Sequence, residues 1–393
     1  MQRSRRKFIF ILGGIILALI VLGLVTYPQL KQRWKAPLGP GLALPTLKAT
    51  SLQPVSTDIP PTQIIQANNP STQAALPNTQ PSPGPKTAIP PTAALAPTAT
   101  TQPLCGGPPL MTVLALGIDG SYDYRYGLSD VIRIVRVDFV TPKVTVLSLP
   151  RDLWVEIPEI ENSYNITHGK LNQAYFYGTP GMGYYKGPGA GAGLLARTLD
   201  KNFGLRVDHY GAVNMQTFVR IVDAVGGIDI YLPTDVDGTP VDDKTEDMGY
   251  FYAGHHHFTG DMALRFSRIR KRYTELARID NQNMVICALK EKITSPAVLP
   301  KIPQIIAAFQ DSVLTDLSLE QLSQLACLLP KLKRENLLLT GLPEEILSQG
   351  RIYSPQQKAE TFIWEADFNV IRDYISQFMA GTWPSEAGEP SCP

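Results

Sequence analysis

Two aspartates and four arginines have the side-chain types that phosphate chemistry requires. Asp119 and Asp130 lie eleven residues apart, each beside the end of an apolar, strand-like segment. Carboxylate oxygens suit a hard divalent cation whose remaining ligands are water. The guanidinium groups able to hold phosphate oxygens through paired N–H groups are those of Arg151, Arg268, Arg270 and Arg278. Spacing alone leaves two interpretations open, one shared site or separate surface charges.

Charge balance and short motifs exclude several other classes of protein. The chain has 36 Lys and Arg residues against 35 Asp and Glu, a net charge of +1, which argues against an electrostatic nucleic-acid binder. The sequence contains no P-loop, no nucleophile elbow and no His-Glu-x-x-His motif. The three consecutive histidines, 255–257, cannot all reach one ion from a regular element. We therefore expect a structural turn there, before Thr259, and no metal site.

Apolar patterns predict a sheet that helices cover on both faces. Strands are expected at 110–116, 131–140, 143–149, 207–214 and 228–232, with the second and third forming a hairpin. Helices are expected at 191–203, 215–225 and 261–266, and in a segment that ends near residue 293. Arg268 and Arg270 share one face if they lie on a strand. Arg278 and Gln282 share one face of a helix, and Glu275 joins them if that helix begins early enough.

The N-terminal residues predict where the protein is located. A basic cluster within residues 1–7 precedes an uncharged apolar run at 8–27, long enough to cross a hydrocarbon core of about 30 Å. We interpret 1–7 as cytoplasmic, 8–27 as a single transmembrane anchor in the cell membrane, and the rest of the chain as extracytoplasmic. A cleaved signal peptide is the alternative. Residues 28–104 are rich in Pro and Thr and are predicted to be a disordered linker, either a spacer or a tail without a spacing role.

A globular domain is expected at 105–295, with 296–393 as a C-terminal extension packed on it or following it. The extension is predicted to contain short helices, a strand at 336–340 and a helix at 367–379. Four cysteines are too few for a disulfide-dense scaffold and allow three pairings. We favour Cys105–Cys392 and Cys287–Cys327, and buried free thiols are the alternative for the second pair.

Seven segments, in this order along the chain, resemble the motifs of the LytR-CpsA-Psr family. They are Leu116-Gly117-Ile118-Asp119, Ser129-Asp130, Ser148-Leu149-Pro150-Arg151-Asp152, Lys170-Leu171-Asn172-Gln173-Ala174-Tyr175, Val225-Gly226-Gly227-Ile228-Asp229-Ile230, the run from Gly260 to Arg270, and Arg278-Ile279-Asp280-Asn281-Gln282. The resemblance extends from about Val113 to Ile293. Each motif is modest alone, and their shared order makes the resemblance specific.

This resemblance implies a three-layer αβα fold with a central mixed sheet. It implies transfer of a phosphorylated glycopolymer from a polyprenyl pyrophosphate carrier to peptidoglycan or another envelope acceptor, with a pyrophosphatase side activity as a further expectation. It assigns Mg²⁺ to Asp119 and Asp130. It assigns the pyrophosphate to Arg151, Arg270 and Arg278, with Arg268, Glu275 and Gln282 completing the catalytic site. The polyprenyl tail needs an apolar groove, for which helices 191–203 and 215–225 provide candidate residues.

The sequence departs from the family pattern at three positions of the site. Leu128 and Asn281 stand where the family usually has arginine, and Glu275 stands where it usually has aspartate. Arg133, further along the strand that follows Asp130, is the candidate to replace a missing guanidinium. The departures leave a second hypothesis open, a degenerate member that binds polyprenyl-linked lipid without turnover. A third, an exported display domain, rests only on the Pro/Thr-rich segment.

Overall fold

Within the described residues, a mixed sheet of six strands lies at the centre of the protein. The computed structural model describes residues 28–44, 102–120, 123–243, 245–270, 275–309, 311–354, 358–385 and 392, and all of them belong to one unit of the chain. The strands are β1 (Leu110–Ile118), β2 (Ser129–Asp138), β3 (Lys143–Ser148), β4 (Trp154–Glu156), β5 (His168–Lys170), β6 (His209–Asn214), β7 (Ile228–Leu232), β8 (Val236–Asp237), β9 (Tyr250–Phe251), β10 (Gly254–Phe258), β11 (Leu314–Thr315), β12 (Leu337–Gly341), β13 (Leu347–Ser354) and β14 (Ala359–Ala366).

The central sheet has the strand order β11-β6-β1-β2-β3-β12. Strand β2 pairs antiparallel with both β1 and β3, which confirms the predicted hairpin. Strands β6 and β12 pair in parallel with β1 and β3, so the sheet is mixed, as the resemblance implies. The remaining strands form two-stranded ribbons outside this sheet.

Helices cover both faces of the sheet and complete the three layers. They are α1 (Leu171–Tyr177), α2 (Ala190–Phe203), α3 (Met215–Ala224), α4 (Gly260–Arg268), α5 (Glu275–Thr294), α6 (Ile302–Phe309), α7 (Leu319–Leu328) and α8 (Phe368–Ala380). Side chains of α1, α2 and α8 pack with Leu114 and Ile134 of the sheet in the largest core cluster. Helices α3, α4 and α5 lie over the opposite face, where they and the sheet line one cavity.

Most of the predicted elements are confirmed to within a few residues. Helix α2 ends at Gly204, whose φ of +65° is the left-handed conformation that glycine tolerates at a helix end. Helix α3 begins at Asn214, whose side chain accepts a hydrogen bond from the Thr217 N–H. The histidines at 255–257 lie on strand β10, so the predicted turn is wrong.

The predicted linker boundary is wrong for residues 28–44, which contact the folded unit. Residues 28–35 are helical, and Pro37 forms a bridge with Ser318. The Leu38 N–H donates to the Leu317 carbonyl at 3.2 Å, and Leu42 is buried in the main core. Averaging composition over a long Pro-rich window hid these local apolar residues. The rest of the predicted linker, from 45 to 101, lies outside the described residues.

The predicted domain boundary at residue 295 is also wrong, because later residues complete the fold. Strand β12 pairs with β3 within the central sheet. The Trp364 N–H of β14 donates to the Asp152 carbonyl at 2.9 Å, beside the predicted site. Helix α8 contributes Ile371, Ile375 and Phe378 to the main core. Residues 296–385 therefore form part of the same folded unit.

The disulfide pairing differs from the predicted one. Cys105 bonds to Cys327 on α7, and Cys287 on α5 bonds to Cys392. Cys287 packs with Cys392 in one core cluster, and Cys105 packs with Leu322 and Leu325 of α7 in another. The sequence gives no information on that packing, which is why the pairing could not be predicted. The described residues contain no free cysteine.

No helix within the part of the chain that the structure describes has the length and apolar character needed to cross a bilayer. The predicted anchor, residues 8–27, lies outside that part.

Candidate active site

A cavity of about 650 Å³ lies between the central sheet and helices α3, α4 and α5. Its floor consists mainly of small side chains from three adjacent strands. These are Ala115 and Gly117 of β1, Val131 of β2, and Gly211 and Val213 of β6. The strand registers place Ala115 beside Gly211 and Gly117 beside both Val131 and Val213. Small residues on neighbouring strands leave space that larger residues would fill.

The cavity has apolar walls and a charged region. The apolar side chains from the covering helices include Met215, Phe218, Leu264, Val285 and Ile286. The charged and amide side chains of the wall include Asp119, Asp130, Arg133, Glu246, Arg268, Arg270, Arg278 and Gln282. Six of the residues predicted from the sequence therefore line one cavity, which favours a shared site over separate surface charges.

An irregularity in the pairing of β1 and β2 brings Asp130 to the same cavity as Asp119. Gly117 is opposite Val131, whereas Ile118 is opposite Ser129, so Asp130 has no partner in the register. A bulge of this kind redirects a side chain that regular alternation would point to the other face. The local register is not visible in the sequence, so this convergence could not be derived from spacing.

Asp119 accepts a hydrogen bond from the Leu128 N–H at 2.5 Å, and its own N–H donates to the Leu128 carbonyl at 3.0 Å. The residue that replaces the usual arginine thus holds Asp119 through its backbone. The side chain of Asp119 is exposed at the cavity opening, yet surrounding protein displaces much of its water. This desolvation and the nearby Asp130 raise the pKa of Asp119, while the Leu128 N–H, Arg151 and Arg268 oppose the rise.

Asp130 connects the cavity to a network of charged residues behind it. Arg151 Nη1 lies 2.5 Å from Asp130 Oδ2, and Arg151 Nε lies 3.3 Å from Asp152 Oδ2. Lys170 Nζ contacts the other oxygen of Asp152 at 2.8 Å, and Asn172 Nδ2 donates to Asp130 Oδ1 at 3.3 Å. Arg151 is buried and reaches the site through Asp130. Asn172 and Lys170 belong to a recognised motif, but sequence reasoning gave them no role.

The predicted arginines reach the cavity from two elements. Arg278 lies on α5 and donates from Nη2 to the Asp130 carbonyl at 3.1 Å. Arg268 is the last residue of α4 and pairs with Glu246 at 2.8 Å, while Arg270 lies just beyond the helix. Arg268 and Arg270 therefore do not lie on one strand, the condition under which they would share a face. Both still line the cavity, because the chain becomes extended at Ile269.

Asn281, a departure from the family pattern, and its neighbour Gln282 have defined contacts. The Asn281 side chain is buried and donates to the Phe266 carbonyl at 3.5 Å, and Gln282 donates to the Ser267 carbonyl at 3.3 Å. Both amides therefore join α5 to the end of α4. Arg133 lines the cavity beside Gln282. The side chain of Glu275, predicted to join this site, lies outside what the structure describes.

Of the two helices predicted to provide groove residues, one lines the cavity and the other does not. Met215 and Phe218 of α3 line the cavity. The apolar residues of α2 belong to the main core on the opposite face of the sheet, so the prediction for 191–203 is wrong. Helical periodicity identifies a buried stripe but does not say which face of a sheet it covers.

The three adjacent histidines do not converge on a common point. His257 Nδ1 lies 2.6 Å from Asp229 Oδ1, and His256 Nε2 lies 2.6 Å from the Tyr252 carbonyl oxygen. Across the described ranges, no group of three or more His, Cys, Asp or Glu side chains is arranged to hold a metal ion.

The model of the LytR_cpsA_psr family matches residues 107–367. The chain belongs to the LytR-CpsA-Psr family. The match extends past the predicted boundary at 295, in agreement with the strand pairing of β12.

Curated relatives of this family member are named as polyisoprenyl-teichoic acid–peptidoglycan teichoic acid transferase TagU. The protein from Bacillus cereus is 30% identical over 214 residues, which cover 54% of this chain and 62% of the relative. That from Oceanobacillus iheyensis is 31% identical over 219 residues, covering 55% and 61%. That from Enterococcus faecalis is 29% identical over 251 residues, covering 61% and 74%. The chain spans about three fifths of the length of the first two relatives.

Solved structures of low sequence identity have the same fold as this LytR-CpsA-Psr protein. A Streptococcus agalactiae protein superposes with a TM-score of 0.55 at 22% identity, covering 72% of this chain and 92% of the other. Bacillus subtilis TagV superposes with a TM-score of 0.52 at 23% identity, and the superposition covers 69% of this chain and 97% of TagV. A structure of TagT bound to LIIa-WTA superposes with a TM-score of 0.52 at 21% identity, and the superposition covers 69% of this chain and 91% of TagT.

Proposed function

We propose that this protein is a membrane-anchored, extracytoplasmic phosphotransferase. It moves a phosphorylated glycopolymer from a polyprenyl pyrophosphate carrier to peptidoglycan or another envelope acceptor. The observation that carries the proposal is the composition of one cavity, which combines carboxylates and guanidinium groups with long apolar walls. A lipid-linked pyrophosphate has the same two parts, an anionic head and an apolar tail. The names of the TagU relatives support this substrate class.

The charged region supplies the interactions that phosphoryl transfer needs. The leaving polyprenyl phosphate carries negative charge, so catalysis depends mainly on positioning and charge stabilisation. Arg270 and Arg278 reach the cavity directly, and Arg151 orients Asp130 from behind. Arg268 and Gln282 complete the wall on the side of α4 and α5. In this proposal the guanidinium groups hold the pyrophosphate oxygens by charge-assisted hydrogen bonds.

The site fits Mg²⁺ as the proposed cofactor. Asp119 and Asp130 both line the cavity. Desolvation and the neighbouring Asp130 disfavour the charged form of Asp119, and a bound cation would stabilise that form. Since Mg²⁺ is commonly held by one or two carboxylates together with water and phosphate oxygens, two protein ligands are enough. When bound, the ion would neutralise charge on the pyrophosphate.

The apolar walls suit the polyprenyl tail. Met215 and Phe218 of α3 line the cavity together with Val285 and Ile286 of α5 and a floor of small residues. An apolar chain bound there would be removed from water, which is favourable. It would contact no polar side chain of the floor at Ala115, Gly117 or Gly211. Ordinary core packing would have filled this volume with larger residues.

The proposed location is the outer side of the cell membrane, with residues 1–7 in the cytoplasm and 8–27 as the anchor. Two disulfides support an oxidising compartment. Protease added outside intact cells is expected to cut within residues 45–101. Protection until the membrane is opened would contradict this orientation.

A transfer assay on the full-length protein in liposomes tests the proposed reaction. The reactants are a polyprenyl pyrophosphate-linked glycan and peptidoglycan fragments, with and without Mg²⁺. Polyprenyl phosphate and free glycan phosphate formed when the peptidoglycan fragments are left out report the proposed pyrophosphatase side activity. Asp130→Ala should abolish transfer. Asp261→Ala is the matched control, since Asp261 is exposed and, among the described residues, pairs only with Arg265 at 2.9 Å. Equal transfer by Asp130→Ala and wild type would contradict the proposal.

The replacement of the usual arginine by Leu128 favours a second candidate function, binding of the lipid carrier without turnover in a regulatory or scaffold role. The same assay separates the two functions. Carrier lipid that remains bound to the wild-type protein, with no product formed under any metal condition, would support the second function.

A further inference from the structure

Arg133 is a buried cation in the wall of the cavity. It lies on β2, three residues after Asp130, with Ala115 and Ser148 as its neighbours on the adjacent strands. Only 3% of Arg133 is exposed. Its Nη1 donates to Asn283 Oδ1 at 2.7 Å, and its Nη2 donates to Gln282 Oε1 at 3.2 Å. Both acceptors are neutral, so neither balances the charge of the guanidinium group.

The hydrogen bonds of Arg133 leave part of its donor capacity unused. Its Nε is fully buried and has no partner among the described residues. The hydroxyl of Ser148, on the opposite strand, is likewise buried without a described partner. A buried donor without an acceptor is costly, and one adjacent to a cavity is satisfied when a ligand brings the acceptor.

The electrostatic surroundings of Arg133 point in the same direction. No carboxylate within the described residues pairs with it, and Arg278 adds a second positive charge nearby. Burial and then Arg278 lower the pKa of Arg133 to about 10, so the group remains charged at neutral pH. A buried charge without a counter-ion destabilises the ligand-free protein. An anion entering the cavity would relieve this penalty.

Arg136, on the same strand, shows what a purely structural arginine looks like in this protein. It is also buried, but its Nε donates to the Met379 carbonyl at 3.1 Å, at the end of α8. Burial in β2 therefore does not by itself leave an arginine Nε without an acceptor. The difference between the two residues is that Arg133 lines the cavity.

We propose that Arg133 is a further phosphate-binding residue of the site, which contacts a pyrophosphate oxygen together with Arg278 and replaces the guanidinium group lost at Leu128. This inference rests on the proposed function, because it assigns a residue to the pyrophosphate of that substrate. In this role Arg133 is specific for the anionic head of the substrate, because an uncharged lipid would leave the Arg133 Nε–H without an acceptor.

Titration of the full-length protein in detergent with geranyl pyrophosphate and with inorganic pyrophosphate, both in the presence of Mg²⁺, tests the inference. Arg133→Met should weaken binding of both probes at least about tenfold, the effect of losing a charge-assisted hydrogen bond. The same variant should have an unchanged or raised melting temperature without ligand, because a buried charge is removed. Arg133→Lys should recover part of the affinity. Arg136→Met is the matched control and should bind like wild type.

Unchanged affinity in Arg133→Met would overturn the inference. A lower affinity accompanied by a lower melting temperature, without recovery in Arg133→Lys, would overturn it as well, because it would indicate a structural role. Arg278→Met separates this failure from failure of the proposed function. If Arg278→Met loses binding and Arg133→Met does not, only the present inference is wrong. If the wild-type protein binds neither probe, the proposed function fails too.

Discussion

Strands β1 and β2 present alternate residues to the two faces of the central sheet, and the two faces differ in side-chain size and charge. On one face, Leu114 and Ile134 are fully buried against α1, α2 and α8. On the other, Ala115 and Arg133 line a cavity beneath α5. Because successive residues of a regular strand point to opposite faces, one strand contributes side chains to both faces here. The comparison shows that large apolar side chains fill one face at Leu114 and Ile134, whereas the other face leaves open space at Ala115 and Arg133.

The largest effect is expected on the filled face. Leu114→Ala removes buried methyl groups from the main core and should lower the free energy of unfolding by about 2–5 kcal/mol. Ala115→Gly, one residue further and on the cavity face, is the paired control and should cost much less. Urea denaturation of both variants measures the difference. Equal losses would contradict the assignment of the two faces.

The next effect concerns the helix that covers the cavity. Cys392→Ser breaks the disulfide to Cys287 on α5, the helix that carries Arg278 and Gln282. Loss of a disulfide typically lowers the free energy of unfolding by about 2–4 kcal/mol.

The paired variant is Cys327→Ser, which breaks the bond to Cys105 on a different helix. We expect both variants to be destabilised in urea. Only Cys392→Ser should also bind geranyl pyrophosphate more weakly, since only this bond holds α5. Identical binding by the two variants would show that the disulfide does not support the site.

A smaller effect follows from filling the cavity. A Cβ atom at Gly211 would have Thr315 Oγ1, at 4.0 Å, as its nearest described contact, so it would border open space. Gly211→Val should keep the fold and weaken binding of geranyl pyrophosphate about tenfold, while inorganic pyrophosphate binding changes little.

Gly341 provides the control for this substitution. It lies on β12, and a Cβ atom there would also meet a single described atom at 4.0 Å, but Gly341 does not line the cavity. Gly341→Val should bind both probes like wild type. If geranyl pyrophosphate binds Gly211→Val as tightly as wild type, the apolar chain lies outside this cavity.

The sequence predicted the elements better than their arrangement. Strands such as β1 and helices such as α3 follow from apolar periodicity, which depends only on neighbouring residues. Strand β12 joins the sheet by pairing with β3, which lies almost two hundred residues earlier in the chain, and no local pattern encodes such a pairing. The buried Leu42 was missed because the Pro-rich composition around it predicts a linker, and because its contacts are with distant residues.

For the site, residue types and motif order identified the right side chains, and packing decided how they meet. The bulge at Asp130 and the extended residue after Arg268 bring these residues to one cavity, and neither follows from spacing. Arg133 could be suggested as a replacement for the missing arginine. That its Nε lacks a partner could only be learned from the structure.

The smallest effect is expected at Asp119, at the open end of the cavity. Its pKa is raised, chiefly by desolvation and then by Asp130, so ionisation of Asp119 opposes folding. The stability that protonated Asp119 provides is fully present below the pKa that this group has in the unfolded chain. That stability is lost as the pH rises through the higher pKa of the group in the folded protein. Asp119→Asn keeps an oxygen that accepts from the Leu128 N–H. In EDTA we therefore expect the variant to melt slightly above wild type at pH 7 and level with it near pH 4, a small difference because the side chain is solvent-exposed. Adding Mg²⁺ should raise the melting temperature of wild type and leave the variant unchanged. Melting curves across this pH range measure both effects, and a variant that Mg²⁺ stabilises as much as wild type would remove Asp119 from the metal site.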